Sequence, residues 1–275
     1  MKLDKNIDYS INLLRKAEPM ALRLDPENGF YLAFSGGKDS QALYHIAQMA
    51  GVKFKAHMNL TSVDPPDVIR FVRRQYPDVE LIKPKMSIYD MTLKKHLIPT
   101  RTKRWCCAKF KETSGAGKVT LTGIRKQEST RRYKRNEFET GKNGKASFSG
   151  TFDQWEEHEE TILISPIIYW TERDVWKFLN EVVKVPHCSL YDEGSRRIGC
   201  ILCPMSNYKQ KIKDCQRFPH AKHKWIQTIQ KLIDGGYINH NFQDAEFGFN
   251  WWISGQSFSK FYADEVLQQK IDFDV

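Results

Sequence analysis

The chain has 275 residues, 40% of them hydrophobic, and a formal net charge of +10, which together describe a globular protein able to bury a core as one large α/β domain or as a domain with an appendage. No stretch approaches the roughly 20 apolar residues that a membrane span needs, and the charged opening "MKLDKNIDYSINLLRKAEPMALRL" has no continuous apolar core of a secretion signal. The expectation is a soluble cytoplasmic protein with no membrane partner, whose positive charge favours an anionic partner such as a nucleotide or nucleic acid.

Residues 6–24 carry Ile7, Ile11, Leu14, Ala17 and Ala21 at helical spacing. "FYLAF" at 30–34 is a short continuous apolar run of the kind that forms a buried parallel strand; it leads into "SGGKDS" and then a helix closed by Gly51. "VKFKAHMNL" alternates like a strand, "PPDVIRFVRRQYP" opens with prolines suited to a helix start, and "VELIKP" is a third strand. Further strands are predicted at 118–125 and 161–167, followed by the helix "TERDVWKFLNEVV", whose Thr171 and Asp174 suit its first turn. Trp170, Val175, Trp176 and Leu179 read as packing residues there. The basic, glycine-containing stretch "RKQESTRRYKRNEFETGKNGKASFSG" predicts a mobile loop. Beyond about 188 the pattern is irregular, and the C-terminal region combines a helix with an aromatic-rich segment. Strands alternating with helices imply a doubly wound, mostly parallel sheet. Two domains are expected, 1–215 holding the sheet and the cysteines, and 216–275 forming a helical, aromatic-rich extension packed on it.

In "SGGKDS", Gly36 and Gly37 let the backbone turn tightly and approach a ligand, and the helix that follows offers unpaired N–H groups. Lys38 adds a point charge, Ser35 and Ser40 can donate to phosphate oxygens, and Asp39 can cap the helix or help to hold Mg²⁺. The spacing is not that of a Walker A loop. The string, placed after an apolar strand, resembles the PP-loop of the ATP-pyrophosphatase superfamily, which implies binding of ATP or an adenylyl nucleotide over the C-terminal edge of a parallel sheet. "SGGKDS", "RWCCAKFK", "GIRKQESTRR" with "SPIIYWTERDVWKFL", and "YDEGSRRIGCILCPM", in that order, resemble the phosphoadenosine phosphosulfate (PAPS) reductase family over about 30–205.

"GIRKQESTRR" delivers Arg125, Glu128, Arg131 and Arg132 near the ligand edge of the sheet. Guanidinium forks suit phosphate and sulfate, so Arg125 and Arg131 are candidates to grip the anionic end of the substrate, whereas Arg132, Lys134 and Arg135 read as a solvated basic loop. Arg196 and Arg197 can hold a substrate anion or balance a negative cluster.

Six cysteines, two adjacent and two in a CxxC, do not form the scattered framework of a secreted mini-domain and suggest metal or redox chemistry. Cys106 and Cys107, followed about ninety residues later by Cys200 and Cys203, resemble the cluster-binding pattern of iron–sulfur members of the family, which implies a [4Fe–4S] cluster. Zinc is the alternative, although adjacent cysteines chelate one ion badly and reach two irons of a cube more readily. Trp105 would shield such a cluster, and Arg104 and Lys109 would offset its charge. Cys188 and Cys215 receive no role.

Sulfonucleotide reductases end in a mobile tail bearing the cysteine that attacks sulfur, and here no cysteine follows Cys215. The complete "SGGKDS" suits an enzyme that splits ATP. The preferred expectation is therefore adenylation of an acceptor for sulfur transfer, with Lys38, Asp39 and Arg125 catalytic. This resembles DNA phosphorothioation and tRNA thiolation enzymes, which implies a DNA or tRNA acceptor and a sulfur donor such as a cysteine desulfurase. The alternatives are a thiol-dependent reductase of PAPS or adenylyl sulfate served by thioredoxin, and a non-catalytic, zinc-stapled nucleic-acid-binding protein.

Overall fold

The computed structural model describes residues 2–112, 115–142, 145–150, 161–238, 242 and 244–264. In chain order its elements are α1 (Lys2–Leu24), β1 (Phe30–Ala33), α2 (Lys38–Ala50), β2 (Phe54–Asn59), α3 (Pro66–Gln75), β3 (Glu80–Ile82), α4 (Ile88–Lys95) and α5 (Trp105–Cys107). There follow β4 (Val119–Leu121), α6 (Thr130–Tyr133), β5 (Phe138–Lys142), β6 (Lys145–Gly150), β7 (Thr161–Ile164), α7 (Glu172–Lys177), α8 (Tyr208–Arg217), α9 (Pro219–Asp234) and α10 (Ala245–Ser254). No described helix is long and apolar enough to cross a membrane.

The chain divides into two compact units, each assembled from separated segments. The first comprises Met1–Asn59, Pro66–Ile82 and Thr113–Gly199, and the second Leu60–Pro65, Lys83–Glu112 and Cys200–Val275. The boundary expected at 215 falls inside the second unit, and all four candidate cluster cysteines belong to that unit.

The first unit is α/β. Its seven-stranded sheet has the order β3-β2-β1-β4-β7-β5-β6, parallel from β3 to β7 and antiparallel in the β5–β6 hairpin. β1 lies centrally, so both its faces are covered: Phe30 and Leu32 are fully buried and Tyr31 nearly so, which is why this strand reads as an unbroken apolar run. The chain winds outward from β1 through β2 to β3 and then returns to the other side of β1 as β4. The C-terminal ends of β1 and β4 therefore form the switch point of the sheet, where such folds open a crevice. α1 buries Ile7, Leu14, Ala17 and Ala21 on one face, as their spacing predicts.

Three expectations change here. The strand predicted at 118–125 ends at Leu121, because the backbone turns through Gly123 into a short helical turn at Lys126–Glu128. The strand predicted at 161–167 likewise ends at Ile164. The predicted mobile loop contains α6, β5 and β6; β5 pairs with β7 and buries Phe138, Glu139 and Thr140. Residues 143–144 of that stretch lie outside the described set.

The second unit is helical and rich in aromatic residues. α4, α9 and α10 enclose Tyr89, Trp225, Ile229, Leu232, Phe249 and Trp252. Trp225 packs on Tyr89 and Trp252 with ring centroids 5.0 and 4.6 Å apart. Each such side chain contributes about 1.5–3 kcal/mol on full burial. Cys106 and Cys200 pack against this core, which forms an apolar floor beneath the cysteine segments.

Candidate functional site

The glycine turn leaves β1 and enters α2 at the switch point. Gly36 has φ +72°, and a Cβ there would lie 2.8 Å from Val68 Cγ1 and 2.9 Å from Val72 Cγ2, so both conformation and space require glycine. Gly123, just beyond β4, approaches the start of α2 so closely that its Cβ would lie 3.0 Å from the Asp39 carbonyl oxygen. Ser40 Oγ donates to the Gly37 carbonyl at 2.8 Å and accepts from the Ser35 amide at 3.2 Å. Ser35 and Ser40 thus brace the loop, with their hydroxyl oxygens 3.2 Å apart.

Lys38 is 2% exposed, and its ammonium donates to the Arg196 carbonyl at 3.1 Å. The same nitrogen lies 3.4 Å from Glu172 Oε1 and 3.7 Å from Asp39 Oδ2. Arg125, 3% exposed, donates from Nε to Asp39 Oδ1 at 2.6 Å. Two strand ends thus bring Lys38, Asp39 and Arg125 into one charged cluster. One oxygen of the Asp39 carboxylate meets a guanidinium and the other faces an ammonium.

The remaining arginines separate. Glu128 accepts from the Arg125 amide at 3.0 Å and pairs with Arg132, and Arg197 Nη2 lies 3.4 Å from it. Arg132 is therefore drawn into the cluster, whereas Arg131 is exposed on α6. Arg196 contributes its carbonyl to Lys38 while its side chain is exposed. Two members of this site had no sequence signal as ligand-edge residues. Glu172 appeared only within "TERDVWKFLNEVV", and Tyr191 only within "YDEGSRRIGCILCPM". Tyr191 accepts a 2.8 Å hydrogen bond from the Lys38 amide, and burial raises its phenol pKa.

In the second unit, Cys106 and Cys107 lie on α5, and Cys200 and Cys203 flank a turn in which Leu202 takes φ +55°. The Asp214 carboxylate accepts from the Leu202 amide at 2.9 Å and fixes that turn. Cys106 senses the charges of Cys107, Cys200 and Cys203, which places the four thiols in one electrostatic neighbourhood. A hydrogen bond from Cys106, reinforced by Arg104, holds the Cys107 thiol below its ordinary value, while the same pairing pushes Cys106 up. Arg104 donates to Cys107 Sγ at 3.4 Å, Lys111 to Cys200 Sγ at 3.3 Å, and Thr61 to Cys200 Sγ at 3.4 Å. Lys111, two residues beyond the expected Lys109, thus reaches the sulfurs. Trp105 is half-buried, with its indole donating to the Leu97 carbonyl at 3.1 Å. Four soft sulfur donors supported by N–H and O–H groups fit a thiolate-ligated cluster. Among the described residues, no group of three or more histidine, cysteine, aspartate and glutamate side chains is gathered around one metal position. Cys188 is buried in the first unit, and Cys215 packs against the helical core of the second.

A doubly wound sheet with a glycine turn and buried Lys–Asp–Arg contacts at its switch point defines the class as an α/β fold of the nucleotide-site kind. The chain belongs to the phosphoadenosine phosphosulfate reductase domain family, which matches residues 29–206. An uncharacterized protein of Methanocaldococcus jannaschii is 28% identical over 239 residues, covering 84% of this chain and 54% of that protein. An adenosine 5'-phosphosulfate reductase of Lysinibacillus sphaericus is 26% identical over 148 residues, covering 50% of this chain and 55% of the reductase. The chain spans about half the length of these curated relatives. Among solved structures, Candida glabrata FMN adenylyltransferase in complex with FAD and inorganic pyrophosphate shares the fold at a TM-score of 0.50 and 15% identity, covering 73% of this chain and 64% of that one.

Proposed function

We propose that the protein is an enzyme that binds ATP on the 35–40 loop, adenylates an acceptor and hands the activated acceptor to a sulfur nucleophile. The carrying observation is the convergence of Lys38, Asp39 and Arg125 at the switch point of the sheet. The positive φ of Gly36 turns the chain so that the start of α2 faces the crevice, and its N–H groups suit phosphate oxygens. The acceptor oxygen attacks the α-phosphorus, the bond to the bridging oxygen breaks, pyrophosphate leaves with the electron pair, and the acceptor proton passes to solvent. Lys38 and Arg125 stabilise the charge that develops, as fixed cations do in phosphoryl transfer. Asp39 orients both cations. Sulfur then displaces AMP from the acceptor.

Cys106, Cys107, Cys200 and Cys203 would hold a [4Fe–4S] cluster, which when bound supplies a redox-active centre able to carry sulfur. Arg104, Lys111 and Thr61 donate to its thiolates. A nucleic-acid acceptor, DNA or tRNA, accords with the charge, and a cysteine desulfurase is a suitable sulfur source. The matches to adenosine 5'-phosphosulfate reductases support a second reading, reduction of a sulfonucleotide with electrons from thioredoxin.

Anaerobic purification, an iron count and incubation with ATP test the first reading. The protein releases pyrophosphate, and Lys38→Ala lowers that release on the order of 1,000-fold with iron retained. Undiminished release from Lys38→Ala removes the loop from the chemistry. Sulfite from adenylyl sulfate plus thioredoxin, without pyrophosphate from ATP, selects the second reading.

A further inference from the structure

The loop that should receive phosphate already has an occupant. Tyr191 Oη accepts from the Lys38 amide at 2.8 Å, the position a phosphate oxygen takes at a helix N-terminus. A Cβ on Gly37 would lie 3.4 Å from that hydroxyl and 4.0 Å from Ile198 Cβ, so residues 191–198 lie directly over the glycines. The same segment reaches the Lys38 side chain: the Arg196 carbonyl accepts from Nζ at 3.1 Å, and the ammonium sits 5.6 Å from the Tyr191 ring centroid. One strip of chain therefore engages both donors that Lys38 would offer to a phosphate chain.

The strip is built to keep its own shape. The Tyr191 amide donates to the Cys188 carbonyl, Asp192 to Ser189, Gly194 to Tyr191 and Ser195 to Leu190, all at 3.0 Å. Gly194 closes this turn at φ +84°, with nothing within 4 Å of where its Cβ would lie. Outside the turn, Tyr191 rests edge-on against Trp176 at 5.0 Å, and His187 Nε2 lies 2.9 Å from Asp192 Oδ1. These four hydrogen bonds all lie within residues 188–195, so moving the turn off the loop breaks none of them.

We propose that Tyr191 is a positioning residue that gates the loop, its hydroxyl keeping the place of a phosphate oxygen until an incoming phosphate chain displaces the 188–198 turn, freeing the Lys38 amide and parting its ammonium from the Arg196 carbonyl in one movement. The proposal rests on the nucleotide reading of the 35–40 loop. A closed gate imposes an opening cost on every ligand that needs the loop, so weakening the closed state tightens binding.

The test is calorimetric titration of the full chain with inorganic pyrophosphate and, separately, with ATP. Tyr191→Phe keeps the ring packing and removes only the hydroxyl, and it binds both ligands roughly three- to ten-fold more tightly than the unaltered chain. Gly194→Ala strains the closed turn without touching the loop, and it shifts affinity in the same direction. A Tyr191→Phe affinity that is unchanged or weaker overturns the gate, because the hydroxyl is then a bystander or a ligand contact. If Tyr191→Phe does not fold, an unchanged or weaker affinity in Gly194→Ala overturns it equally. ATP binding by the unaltered chain with no tightening in either variant sinks the gate alone. No binding of either ligand by any of the three proteins sinks the gate together with the nucleotide reading.

Discussion

Arg125 shows how one side chain ties the candidate site together. Its guanidinium is buried, bonded to Asp39 and aimed at the Trp170 carbonyl, while its amide is held by Glu128. Lysine would keep the charge and lose the planar fork, so Arg125→Lys leaves Asp39 misaligned against Lys38. The expected result is a fall in kcat for pyrophosphate release on the order of 100-fold with a native circular dichroism spectrum; an unchanged kcat removes Arg125 from the reaction. Lys38, Asp39 and Arg125 were legible because each sits in a short string whose chemistry is local. Tyr191 and Glu172 were not, because each acts through a single partner far away in sequence, and no periodicity records such a contact. Lys111 was missed for the same reason: the sulfur it meets belongs to Cys200, 89 residues away, and the π-helical segment Ala108–Glu112 that carries it left no pattern in the sequence.

Among the elements, β1 and α2 were readable because a buried parallel strand and a helix closed by glycine leave strong patterns. The β5–β6 hairpin was not, because its basic and glycine-rich composition is that of a loop, and only pairing with β7 makes it a strand. The entry to the sheet also depends on a polar tie. Asp25 at the end of α1 accepts from the Asn28 amide at 3.0 Å and lies 2.6 Å from Lys118 Nζ, just before β4. The Lys118 ammonium holds the Asp25 carboxyl down at about 2, below its ordinary value near 4. A depressed folded pKa means that the tie contributes its full stability above about pH 4 and loses it as pH falls toward 2. Asp25→Asn should therefore lower the melting temperature at pH 6 and show a smaller further loss between pH 4 and pH 2 than the unaltered chain. Parallel melting curves of the two proteins through that window would refute the tie.

For the molecule as a whole, the two units carry unequal charge. Counting Lys and Arg against Asp and Glu, the first unit holds 25 − 22 = +3 and the second 18 − 11 = +7, which together make the +10 of the chain. The 35–40 loop with Lys38, Asp39 and Arg125 lies within one unit and the four cysteines within the other, so their losses should be separable. Cys106→Ser should abolish iron binding and visible absorption while pyrophosphate release from ATP falls less than about three-fold, since no residue around Lys38 is altered. Loss of both together would show that the two sites act as one.

The floor beneath Cys106 and Cys200 is shared between two stretches of chain: Tyr89, Phe110 and Leu202 fall inside the family match, whereas Trp225, Ile229, Leu232, Phe249 and Trp252 lie beyond residue 206, where that match ends. The four cysteines fall inside the segment that matches the family, whereas the α9 and α10 part of the ground on which two of them rest does not. A gene trimmed to the matched segment would encode all four cysteines and still lack the hydrophobic support that α9 and α10 give to two of them. Signature and foldable piece are different lengths of the same chain.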